Sequence, residues 1–227
     1  SVDGGMKFLA AGRTEHRVFV TLHKPDPAPL RETVLEISNQ GAAGCSSDNA
    51  VIAGIWREFS RRNPDGTLPG LRRADGHVLR YWCEDFTPFT TQIIRDCHTL
   101  NALLRRDSSR GPLEGVGTCQ AWSELFAETL RAQGISDVQT VCIVPPKGAT
   151  GFLMNTPAYR AANSARFDPR PAIHGQGTPN PPCAFFNHSL VEVRGALYDP
   201  SYGNGPFTGA TLEDAVATWE RTDRKST

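Results

Sequence analysis

Three side chains in this sequence are of the types, and in the order, that nucleophilic thiol chemistry needs: Cys119, His188 and Asp199. Cys119 stands where the glycine-rich run "GPLEGVGT" passes straight into an amphipathic pattern. A helix N-terminus carries unpaired N–H groups and a positive dipole end, so a thiol placed there ionises more readily. The glycines at 115 and 117 keep the approach to it open. His188 lies in an apolar strand pattern and shares a face with Phe186 and Leu190. An imidazole on such a face is costly unless it has partners. Asp199 comes in the next strand, just before Pro200, and a turn near Arg194–Gly195 would set it roughly opposite His188. Nucleophile, base and orienting acid would then stand together.

These residues need elements to hold them. Trp122, Leu125, Phe126, Thr129 and Leu130 recur at helical spacing after Cys119, Thr118 is placed as N-cap, and Gly134 closes the helix. "FFNHSLVEVRGALYDPSYG" (185–203) reads as a β-hairpin. Upstream, "HRVFVTLHKP" (16–25) alternates like a strand, "ETVLEIS" (32–38) reads as a second, and "HVLRYW" (77–82) as a short third. Helices are predicted over 48–62, with Ser47 or Asp48 as cap, and over 91–106, with Cys97 on the apolar stripe. "VQTVCIVP" (138–145) reads as a buried strand with Cys142 packed inside, and "TLEDAVATWERTD" (211–223) as a closing helix. Between them, 145–183 is rich in Pro, Gly and Asn, with the character of a binding loop or lid. Helices and strands are segregated, which predicts an α+β class. A single domain over 1–227 is expected, with a strand and helix layer at 1–105 and the chemical core at 106–227.

Bulk properties narrow the functional classes. Charge is balanced at 24 basic and 24 acidic residues, so no electrostatic footprint for nucleic acid is present. No apolar run is long enough to span a membrane. The 6 cysteines form no C-x-x-C pair, which argues against a zinc ribbon, and their spacing to His188 is not finger-like. The start, "SVDGG", has neither an initiator methionine nor a secretory pattern and reads as a tag remnant or the interior of a longer protein, so compartment stays undecided.

The blocks "GTCQAWSELFAETLRAQGI" and "FFNHSLVEVRGALYDPSYG" closely resemble the two signature blocks of the transglutaminase-like superfamily. The resemblance covers about residues 110–203. It implies a papain-like core in which the catalytic helix packs on an antiparallel sheet, with Cys119, His188 and Asp199 as catalytic triad. It also implies thiol acyl transfer on protein or peptide amides through a Cys119 thioester. Water as acceptor gives a protease, deamidase or amidase; an amine gives a transglutaminase. "HVLRYW" falls about where such enzymes carry an oxyanion-stabilising tryptophan, making Trp82 the candidate, with Tyr81 and Trp122 as competitors. Asn187, beside His188, is a further candidate for substrate contact. No cofactor is implied by these motifs; calcium stays open, though no acidic loop marks a site. Two other readings are the catalytic end of a larger secreted bacterial effector and a non-catalytic binding domain that keeps the fold.

Overall fold

The computed structural model describes residues 16–26, 30–82, 96–144, 152–154, 174–178, 184–185, 187–207 and 217–219. Two helices open it, α1 (Glu32–Ala42) and α2 (Asp48–Ser60). They cross so closely that Gly41 and Gly54 face each other's backbone: a Cβ on Gly54 would lie 2.1 Å from the Gly41 carbonyl oxygen. The strand expected over 32–38 is therefore a helix. Its inward residues, Thr33, Val34, Ile37, Ser38 and Gly41, follow a helical stripe, and packing against α2 selects that period over the alternating one. α2 is as expected, with Ser47 as N-cap accepting from the Ala50 N–H.

Residues 16–26 form no strand. Val18 and Val20 are 85% and 79% exposed, and the segment docks instead through His23 and Asp26 N–H groups on the carbonyls of Gln133 and Arg131. Alternation alone makes no strand without a sheet edge to pair with. The predicted short strand at 77–82 contracts to β1 (Arg80–Tyr81), which pairs in parallel with β2 (Val116–Gly117). The predicted helix over 91–106 is interrupted: Asp96 is helical, 97–99 turn, and the helix resumes as α3 (Leu100–Leu104), where Thr99 caps it and accepts from the Ala102 N–H. Residues 91–95 lie outside the described residues. Cys97 is buried as expected, ahead of α3 rather than within it.

The central element is α4 (Cys119–Arg131). Trp122, Leu125, Phe126 and Leu130 have no exposure, because α1, α2, α3 and three strands surround the helix. A four-stranded antiparallel sheet lies against it in the order β3 (Val138–Ile143), β6 (His188–Val193), β7 (Ala196–Asp199), β8 (Asn204–Phe207). β3 is an edge strand, so Cys142 is exposed rather than packed inside. A smaller antiparallel sheet runs β5 (Ala184–Phe185), β4 (Phe152–Met154), β9 (Ala217–Trp219). Residues 217–219 of the expected closing helix are thus a strand; the rest of 211–223 lies outside the described residues. The class is α+β. One continuous apolar core joins Val34, Ile55 and Phe59 from the first half to Trp122, Phe126 and Val191 from the second.

Candidate active site

The position of Cys119 is set by the strand before it. β2 is held by β1, and the Trp82 N–H extends the ladder to the Gly117 carbonyl at 3.3 Å. The Thr118 N–H is held by the Cys97 carbonyl at 2.9 Å. Thr118 is the extended N-cap of α4, but its side chain makes no capping bond; its Oγ1 lies 3.3 Å from His98 Nδ1. Trp122, one turn into the helix, donates its Nε1–H to the Arg80 carbonyl at 3.3 Å. The first turn of α4 is thereby pinned to β1, and Cys119, 9% exposed, stands at the positive end of a 13-residue helix.

His188 opens β6 opposite Ile143 and is fully buried. Its Nε2 meets Asp199 Oδ2 at 3.0 Å, and Asp199, also fully buried, accepts the Ser201 N–H on its other oxygen at 3.1 Å. The His188 ring stands close enough to the Cys119 side chain for each to act on the other's ionisation. With Nε2 on the carboxylate, Nδ1 is the ring nitrogen left for the sulfur. The three residues singled out from spacing therefore converge.

Their electrostatics support one another. Burial pushes the Cys119 thiol up, but the charge and hydrogen bond of His188 and the Ser189 backbone N–H outweigh it, and the thiol sits below its ordinary value. Burial pushes His188 down, yet the charges of Asp199 and Cys119 and its hydrogen bonds to both raise it to about 10. The charge of each partner thus favours the ionised form of the next, in a site where water is excluded.

Trp82 follows β1 with φ of 54°, a rare backbone for a bulky residue, and its carbonyl accepts the Thr178 hydroxyl at 2.7 Å. Asn187 is exposed while its neighbour His188 is buried, so the structure does not bring it into the triad. Tyr81, a competitor of Trp82, is fully buried beside the Tyr202 ring at 5.1 Å. Burial and then the nearby charges of Cys119 and Asp199 hold its phenol well above the ordinary value, so it stays a neutral donor.

Comparison with known proteins comes back empty. No protein-family model, curated protein or solved structure matches this chain. The geometry therefore carries the functional argument by itself.

Two further residues border the site, and spacing did not single them out. The Tyr202 ring lies 5.9 Å from that of His188, tilted by 50°, and Gln176 lies buried against the Asp199 turn. "DPSYG" read as a turn and "HGQGT" as part of a binding loop or lid, without Tyr202 or Gln176 standing out, because short turn residues look alike whether they face water or a core. Among the described residues no three His, Cys, Asp or Glu side chains converge as a metal ion would need, and no helix is long and apolar enough to cross a membrane.

Proposed function

We propose that this chain is a transglutaminase-like thiol acyl-transfer enzyme on a papain-like core, acting on amide bonds of proteins or peptides. One observation carries the reading: a helix-start cysteine paired to a buried histidine whose far nitrogen holds a buried aspartate. The Cys119 thiolate adds to the amide carbonyl carbon. The oxyanion that forms is within reach of the Cys119 backbone N–H, one of the helix donors that lacks an intrahelical partner. Each such donor is worth about 3–4 kcal/mol in comparable sites. His188 gives its Nδ1 proton to the departing nitrogen, the C–N bond breaks, and a Cys119 thioester remains. Asp199 keeps the imidazole oriented and stabilises its charged form. Water or an amine then adds to the thioester, neutral His188 takes the proton, and sulfur leaves as thiolate.

The acceptor is read directly by incubating the protein with a glutamine-rich protein, with and without excess labelled primary amine. Amine incorporation identifies a transglutaminase, ammonia release without incorporation a deamidase, and new peptide termini a protease. Each must vanish in Cys119→Ala. Absence of all three in the wild-type protein, across glutamine-rich and unrelated protein substrates, overturns the reading.

A further inference from the structure

The long 145–183 segment sends one short turn, "HGQGT" (174–178), into the body of the protein. Gly175 and Thr178 bridge to each other across it, and Gly177 takes φ of 61° with its Cα pressed against β1. A Cβ there would lie 2.8 Å from the Leu79 carbonyl oxygen, so only glycine fits both the backbone and the space. The turn is held on each side: the Gly177 N–H donates to the Leu68 carbonyl at 3.2 Å, and Thr178 Oγ1 to that of Trp82 at 2.7 Å.

Gln176, at the tip, is 1% exposed. Its amide nitrogen has two hydrogens, and both are used: one reaches the Phe59 carbonyl at 2.6 Å, the other the Pro200 carbonyl at 3.0 Å. Phe59 lies in the last turn of α2, whose carbonyls have no intrahelical donor. Gln176 also joins through its backbone. Its N–H donates to the Ser201 carbonyl at 3.0 Å, and its carbonyl accepts from the Tyr81 N–H at 2.7 Å. One buried residue thus ties together the end of α2, the strand that steadies Cys119, and the Pro200–Ser201 peptides.

That last tie bears on the chemistry. Ser201 donates its N–H to Asp199, and Asp199 holds His188. The carbonyls on either side of that N–H, those of Pro200 and Ser201, are both fixed by Gln176. We infer that Gln176 is a positioning residue for the thiol site, acting through the Pro200–Ser201 turn to hold Asp199 against His188. Through it the 174–178 turn is coupled to the Cys119–His188 pair. The inference rests on the thiol reading proposed above.

The test compares wild type with Gln176→Met, which keeps the volume and removes both donors, and Gln176→Glu, whose carboxyl donates to at most one of the two carbonyls and, once ionised, to neither. The readout is the rate of carbamidomethylation by iodoacetamide at Cys119 from pH 5 to 9, followed peptide by peptide. Buried Cys97 serves as internal reporter of the fold. Both variants are expected to slow Cys119 labelling at pH 6 by about tenfold or more while Cys97 stays protected, since small misplacements of a reacting group have effects of that order. Lowering pH far enough to protonate the introduced carboxylate is expected to return part of the lost rate in Gln176→Glu and none in Gln176→Met. A second measurement reads the folded population alone: the downfield NMR proton of the His188 ring moves upfield in Gln176→Met as the bond to Asp199 weakens. An unchanged Cys119 profile with an unmoved His188 proton overturns the positioning role. So does simultaneous exposure of Cys97 with the His188 signal unmoved in the molecules still folded, which would mark Gln176 as a fold-holding residue only. A wild-type protein whose Cys119 labels no faster than Cys142 at pH 6 would instead overturn the thiol reading itself.

Discussion

His188 and Asp199 meet diagonally across two strands. In the β6–β7 ladder Val191 pairs with Tyr198 and Glu192 with Leu197, which places Asp199 beyond Tyr198 and opposite Leu190 rather than His188. The two share a face two residues out of register, and the contact of 3.0 Å between Nε2 and Oδ2 is made by reach of the side chains along the strand. Asp199 can lean that way because Ser201 holds its other oxygen and the β7–β8 ladder shifts register between Leu197 and Asp199.

Removing the carboxylate should therefore cost both stability and reactivity. Asp199→Ala strands a fully buried imidazole, and the loss of one partner of such a pair is expected to cost about 3–5 kcal/mol, read from denaturant unfolding. Asp199→Asn preserves the shape and an acceptor for Ser201, so its stability loss should be smaller. Both should slow Cys119 alkylation at pH 6, because an imidazolium without its carboxylate releases its proton sooner. Alkylation at the wild-type rate in both variants would show that Asp199 does not support the pair.

The raised His188 and lowered Cys119 predict opposite pH trends. His188 binds its proton more tightly folded than unfolded; its contribution to stability is complete below the free imidazole value of 6.5 and is lost as pH rises through about 10. Cys119 contributes above the free thiol value of 9.0, and that contribution is lost as pH falls through its lowered folded value. The melting temperature should decline between neutral pH and about 10 as His188 gives up its proton. In Cys119→Ala the thiolate no longer supports the imidazolium, so the part of the alkaline decline that comes from His188 should be smaller and end at a lower pH. Superimposable curves for the two proteins would mean that sulfur and imidazole are not coupled.

Trp82 is tested by separating thiolate reactivity from turnover. The role proposed for it, a second oxyanion donor, would come into play only once a carbonyl is under attack. Trp82→Phe should then lower turnover of any amide substrate by about 10²–10³, while leaving Cys119 alkylation unchanged. Unchanged turnover would move the role to the neutral hydroxyl of Tyr81, for which Tyr81→Phe is the matching variant.

The α1–α2 crossing makes a prediction independent of catalysis. A Cβ at Gly41 would stand 2.5 Å from Ile55 Cα, and one at Gly54 would strike the Gly41 carbonyl; both obstacles are backbone and cannot rotate aside. Gly41→Ala and Gly54→Ala should each destabilise by at least about 1–3 kcal/mol. For a chain of this size each kcal/mol lowers the melting temperature by roughly 2–4 °C. Wild-type melting in either variant would rule out so close a crossing.

The Gly177 turn makes a related prediction. Gly177→Ala forces a Cβ against the Leu79 carbonyl oxygen at a backbone angle that disfavours any side chain. It should lower the melting temperature and also slow Cys119 alkylation, because the turn that carries Gln176 is lifted from β1. Slower alkylation without that loss of stability would contradict the packing described for the turn.

Local spacing determined a good deal of this protein. The 3.6-residue stripe and Gly134 set the bounds of the Cys119 helix, and "EVRGAL" set the hairpin turn, where Arg194 and Gly195 both take positive φ. Those two facts suffice to put a thiol at a helix start and an imidazole and carboxylate on adjoining strands. What spacing could not decide were matters of partnership. Whether "ETVLEIS" is strand or helix depends on α2 lying against it, and whether "HRVFVTL" pairs depends on a free sheet edge. Burial of Cys142 depends on β3 having a second neighbour, which it lacks among the described residues. The offset between His188 and Asp199, and the four bonds of Gln176 that brace it, join residues distant in the chain through carbonyls that any sequence possesses. A backbone carbonyl has no residue letter, so the bracing of this site became visible only when the tertiary structure brought its donors to it.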